Sequence, residues 1–360
     1  MIRRCLACGF VPSAVLVLAL ARPAAADAGG WQDVPTPLTE VGAPFPVGVA
    51  AVGPRLAWAV GMEASRPLLL RWDGAAWTRE ALPGTLPFGS LNVVAAAGPR
   101  NAWVIGGPHL DPLQSAYHWD GTAWRAVEFP VNFWASSLSA GRDGSAWATA
   151  RNTSTNESQL VRYGDGRWTR VDVPLPEADA VGGPSWRPGS VAVLSAEDVW
   201  LGGMNERDGR IPFVLHWDGR AWRDMRVPRS PSGFVSRVLA VSARSVWAYR
   251  TDAMTETERT LLHWNGRAWT EITVPSGIET GGVMSDDGRG GVWLGVVDRS
   301  QTRTTYAHYR AGTWTIERGP ARSVYSAASA LARVPGTRTV LAVGMSEYVP
   351  IAERFAAGRR

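Results

Sequence analysis

Apolar residues along this chain fall into short runs joined by turns, and the runs recur in two alternating units. The first is an apolar run, a turn and a second run opening on Trp, as in "VGVAAVGPRLAWAVG" (47–61), "LNVVAAAGPRNAWVIGG" (91–107) and "SVAVLSAEDVWLGG" (190–203). The second is "AYHWDGTAWRAVEFP" (116–130), with near copies beginning at Leu68, Gln159, Phe213, Thr260 and Thr304. Runs of this length, rich in β-formers and bounded by Gly, Pro and Asp, predict strands. One pair of units therefore predicts four strands, a to d.

The period is set by Trp58, Trp103, Trp147, Trp200, Trp247 and Trp293, spaced 44 to 53 residues apart. Propeller blades repeat at roughly 40–50 residues. A seventh pair starts at "ASALARVPGTRTVLAVG" (328–344), and residues 346–355 supply its strand c, with Phe355 in the aromatic place. The missing strand d is "WQDVPTP" at Trp31. The expected fold is all-β: a seven-bladed β-propeller of four-stranded blades, closed by an N-terminal outer strand completing the last blade, which leaves no open edge between the ends.

Of 19 tryptophans, all but Trp134 and Trp186 occupy repeated positions. In the WDGxAW hairpin, a two-residue Asp-Gly loop places Trp72 and Trp77 as diagonal neighbours, and a four-residue loop places them opposite each other. Both registers put stacked aromatics on one face, as wedges between blades. The third and sixth repeats read "YGDGRW" (163–168) and "YRAGTW" (309–314), variants of the same hairpin.

Residues 1–26 carry Arg3 and Arg4, an apolar run from Phe10 to Leu20 and an A-x-A arrangement at Ala24 and Ala26. That is the pattern of a cleaved secretory signal peptide, followed by one propeller over 27–360, and it points to a secreted, extracellular protein. Both cysteines, Cys5 and Cys8, lie in the leader, so no disulfide, thiol nucleophile or cysteine metal ligand is expected in the mature chain. The chain has no lysine, and removing three leader arginines leaves 34 against 32 acids, a formal +2. So small an excess argues against nucleic acid as a partner. No further apolar run is long enough to span a bilayer, and a monomer is expected.

The glycine pair after strand b ("WVIGG", "WLGG"), an aromatic in strand c and Trp opening strand d together resemble the kelch pattern of galactose-oxidase-type propellers. The Asp-Gly turns before Trp147 and Trp293 are similar to repeats of two-component-regulator and virginiamycin-lyase-type propellers. "HWDGxAW…VP" also resembles repeats of secreted propellers from high-GC bacteria. The resemblance implies a propeller but no particular activity, because this fold hosts enzymes, sensors and adhesion modules. Galactose-oxidase chemistry needs a cysteine that the mature chain lacks, and "DGSAW" has the wrong spacing for a sialidase box.

His118, His216, His263 and His308 each precede the strand c aromatic, a slot that Arg71, Arg162 and Arg354 fill elsewhere. Equivalent positions of different blades cannot converge on one metal, so no metal and no cofactor is expected. Strand a lines the axis with small neutral residues such as Val49, Ala51, Val93, Ala95, Val191, Val193, Val238 and Ala240, displaying no acid, base or nucleophile. Chemistry is then left to the d–a and b–c loops, which share one end of the disc. Candidate ligand-binding residues there are Trp134, Trp186, Phe88, Phe133, Phe234, Tyr325 and His109, since aromatics on a rigid scaffold anchor ligands. The first reading is a non-catalytic binder of a glycan, small molecule or protein. The alternative is a hydrolase or lyase built from His109 or loop carboxylates, which include Asp111, Glu157, Glu177, Asp179, Glu206, Asp208, Glu256, Glu258 and Asp298.

Overall fold

Each repeat folds into one antiparallel four-stranded sheet, and seven such sheets make the molecule. The computed structural model describes residues 29–84, 88–107, 114–130, 132–174, 186–206, 209–228, 230, 232–252, 259–280, 282–300, 302–347 and 349–357. The leader therefore lies outside the described residues. Among those residues, no helix is long and apolar enough to cross a membrane.

Six sheets run a-b-c-d in sequence order; the seventh pairs Gly30–Asp33 with Val349–Ala356, then Val340–Ser346 and Ala327–Arg333. Trp31 stands opposite Phe355 in that ladder, as the alignment of the two ends requires. The reason is visible in the packing. In the six blades that have one, the strand b tryptophan is buried against the outer aromatics of the next blade, as with Trp58 on Trp119 and Trp124, Trp103 on Tyr163 and Trp168, and Trp200 on Trp264 and Trp269. Trp293 meets Phe355 at 4.7 Å and Trp31 edge-on at 5.6 Å, so the N-terminal strand supplies the missing member of the set. Such aromatic pairs add about 0.5–1.5 kcal/mol each beyond area burial.

Apolar residues accordingly collect in seven wedges, one between each pair of neighbouring blades. The closing wedge is also pinned by polar groups. Glu353 in the last strand c is 0% exposed and accepts hydrogen bonds from Thr304 Oγ1, Tyr306 Oη and Arg322. Arg322 reaches on to Asp33 of the N-terminal strand at 2.7 Å.

The hairpin register is resolved as well. Trp72 faces Trp77, Trp119 faces Trp124, Trp217 faces Trp222 and Trp264 faces Trp269, which is the four-residue loop. Its first residue caps it: Asp73 Oδ1 accepts the amides of Ala75 and Ala76 at 2.8 and 2.9 Å, and Asp120, Asp218 and Asn265 do the same. Blades 3 and 6 keep the aromatic register with a different turn. Asp165 and Gly166 have φ of 51° and 80°, and Ala311 and Gly312 have 49° and 84°, the signature of a two-residue type I′ loop closed by the Gly164–Arg167 and Arg310–Thr313 pairs.

Candidate binding cleft and axial channel

Strand a begins irregularly in almost every blade. A register break follows Pro46, Leu91, Ala135, Pro188, Val235 and Ala328, each near the d–a end. An extra residue of this kind bends the strand and re-aims the side chains beside it. Over blades 3, 4 and 5 the result is a cleft on the expected end of the disc.

Trp134, near the start of strand a in blade 3 (Phe133–Ala140), pairs directly with Arg151 of strand b, so indole and guanidinium share a face. With Asn152, Thr153, Asn156, Ser158, Arg187, Pro188, Glu206 and Phe234 they line a cavity of about 910 Å³. The blade 3 rim is stiff, because Asn152 Oδ1 accepts the amides of Ser154 and Thr155, and the Thr153 amide donates to Asn132 O at 2.9 Å. Arg187, in strand a of blade 4 (Trp186–Ser195), lies 4.9 Å over the ring of Phe234, which opens strand a of blade 5 (Phe234–Ser242). Arg187, Glu206 and Phe234 also line an adjoining cavity of about 410 Å³, reaching Arg210, Asp252 and Arg259. Arginines 151, 187, 210 and 259 against two carboxylates, Glu206 and Asp252, make the cleft basic.

The other candidates sit elsewhere. Trp186 is 6% exposed, packed against Phe213 in the wedge between blades 3 and 4, and its ring does not line the cleft. Phe133 packs against the wedge between blades 2 and 3. Phe88 is 65% exposed and lines a separate cavity of about 480 Å³ beside Glu80 and Tyr117. Tyr325 is half-buried just ahead of strand a of blade 7, and burial raises its hydroxyl above the usual value. Of the loop carboxylates, Glu206 lines the cleft, Glu157 lies 3.9 Å from Arg170, and Asp298 accepts from Ser300. His109, Asp111, Glu177, Asp179, Asp208, Glu256 and Glu258 lie outside the described residues.

The four strand c histidines have a structural task. Each stacks on the strand b tryptophan of its own blade: His118 on Trp103 at 4.4 Å, His216 on Trp200 at 4.3 Å, His263 on Trp247 and His308 on Trp293 at 4.1 Å. Each also meets a polar residue near the a–b turn, Asn101, Asp198, Ser245 or Asp287. Burial pushes the His118 and His263 imidazoles below their usual range. For Asp287 burial acts upward, but the His308 bond, the amides of Gly291 and Arg289 and the Arg310 guanidinium outweigh it and hold the carboxyl well below the usual range.

The axis departs from expectation at one residue. Strands a of all seven blades enclose a channel cavity of about 320 Å³, and its lining is neutral except for Arg237. The break between Val235 and Arg237 shifts the in–out alternation by one, so Val235 and Val238 face the wedge while Arg237 is open to the channel. Simple alternation along the sequence hides such a residue. Neighbouring strands a are also stitched together, with Ser137 and Ser139 accepting the amides of Val191 and Val193, and Ser190 accepting that of Val238.

No protein-family model and no curated protein sequence matches this chain. Solved structures share the architecture. The chain superposes on "YCF48 bound to D1 peptide" with a TM-score of 0.59 at 15% identity, covering 92% of this chain and 99% of the other. The GH74 xyloglucanase from Xanthomonas campestris gives 0.59 at 17% identity; 89% of this chain matches about half (52%) of that enzyme. The SapL1 lectin in complex with alpha methyl fucoside gives 0.51 at 13% identity, over 79% of this chain and 99% of the lectin. Likenesses at these identities show the propeller fold alone.

Proposed function

We propose that this protein is a secreted, non-catalytic propeller that binds its ligand in the cleft over blades 3 to 5, against Trp134 and Phe234. The observation that carries this reading is the cleft itself. It is a concave site lined by aromatics, amides, hydroxyls and guanidinium groups, the mixture with which proteins hold glycans and peptides. Acid–base hydrolysis needs two groups at one substrate atom. Glu206 is the single carboxylate among the described residues lining the larger cavity, which favours binding. The neighbours are compatible with this: one is bound to a D1 peptide and another to a fucoside. Secretion rests on the leader pattern of residues 1–26, with the propeller over 27–360 acting as a monomer, and the kelch-type kinship rests on the glycine pairs and the strand c and d aromatics.

The test is a screen on glycan and peptide arrays, followed by hydrogen–deuterium exchange of the mature protein with the tightest hit. Protection is expected in residues 132–134, 151–158, 186–188 and 204–206. Absence of any retained glycan or peptide, or protection confined to the a–b and c–d turns, contradicts the assignment.

A further inference from the structure

We propose that the axial channel is a second ligand site, in which the guanidinium of Arg237 holds a small oxyanion. Arg237 is the single charged residue lining that cavity, which all seven blades enclose. In blade 5 it occupies the place Ser137 takes in blade 3, the first paired residue after the break in strand a. Its other counterparts, Gly48, Val93 and Ala330, are small or apolar. A long cation is therefore not what this position needs to build a blade.

Three arginines packed into this fold are matched to acceptors. Arg250 bonds Pro228 O and Glu271, Arg322 bonds Asp33 and Glu353, and Arg333 bonds Asp286 and Thr337 O. Among the described residues, no hydrogen bond or ion pair engages the guanidinium of Arg237. Arg237 is exposed to the channel, and the blades around it draw its pKa below the usual value through partial desolvation. A guanidinium that faces the channel with no carboxylate in the lining keeps its planar donors available to an anion from outside.

Two features make room for that partner. Gly282, opening blade 6, has φ +79°, and a Cβ there would come within 3.1 Å of Arg237 Cγ, so this glycine leaves the arginine stem its path. The other is the channel lining, whose serines, Asn92 and small apolar residues set no carboxylate against an incoming anion. Volume limits the class of ligand. About 320 Å³ suits phosphate, sulfate or a small dicarboxylate, each able to take the planar two-point contact that arginine offers, and excludes an oligosaccharide.

The experiment is calorimetric titration of the mature protein with phosphate, sulfate and malonate at constant ionic strength, with melting curves alongside. At least one of the three should bind saturably at one site per chain and raise the melting temperature, and the responding anion separates inorganic from carboxylate chemistry. Arg237→Gln should weaken that binding at least about tenfold, equivalent to 1.4 kcal/mol. Arg237→Lys, which keeps the charge, should bind less tightly than wild type and better than Arg237→Gln, while Trp134→Ala should bind as wild type does. Lack of saturable binding by all three anions, or equal affinity in Arg237→Gln and Arg237→Lys, overturns the proposal.

Discussion

At the end of the disc that carries the a–b and c–d turns, four blades close with the same capped loop, led by Asp73, Asp120, Asp218 and Asn265, and four stack a histidine on a buried tryptophan. At the opposite end the backbone repeats, with a break near the start of strand a in six blades, but the side chains do not. Strand a enters through a break, Trp134 and Phe234 stand half-open beside arginines, and the cleft runs across three blades without repeating. The first end shows that repetition serves assembly, since the same capped loop in four blades answers the same packing problem each time. The second shows where assembly leaves freedom, and freedom is what a binding site needs.

Tryptophan substitutions probe this contrast with the largest expected effect. Trp186→Ala should cost about 3–5 kcal/mol, since it empties a filled wedge, whereas Trp134→Ala should cost under about 1 kcal/mol, since its ring is partly solvated already. Denaturant unfolding of both variants checks the difference, and equal losses would erase the distinction between wedge and cleft.

A smaller effect concerns the regular end. The Asp287 carboxyl sits below its unfolded value of about 3.9. Its contribution is therefore complete above about pH 4 and is lost as pH falls toward the folded value. Asp287→Asn should lower stability at pH 7 and also reduce the further loss between about pH 4 and pH 2, measured by melting across that range. A wild-type slope in the variant would show that the carboxylate is not titrating there. The smallest effect is at the type I′ turn of blade 6, where Ala311 has φ 49°. Ala311→Asn should raise stability by about 0.5–1 kcal/mol, while the same change at a position with ordinary φ should not.

Much of the fold could be read in advance because it is repetitive. Trp31 and Phe355 lie at opposite ends of the chain, yet each has a counterpart in the other blades, so their pairing follows from register. The hairpin loop was open between two lengths, because Asp-Gly serves both a two-residue turn and an Asx-capped four-residue turn; the aromatic pairing selects the second. Within the site, Trp134 and Phe234 were legible as aromatics outside the repeat. The same criterion selects Trp186, but a residue outside the repeat can turn toward the wedge as easily as toward solvent, and Phe213 provides the wedge. Arg237 was not legible at all, because an added residue in strand a inverts the alternation that locates channel-facing positions.

Affinity of Trp134→Ala for the tightest array hit tests the central claim most directly, read beside its melting temperature. The account predicts at least tenfold weaker binding, about 1.4 kcal/mol, with melting within a few degrees of wild type. Unchanged affinity in a fully folded Trp134→Ala variant would contradict it.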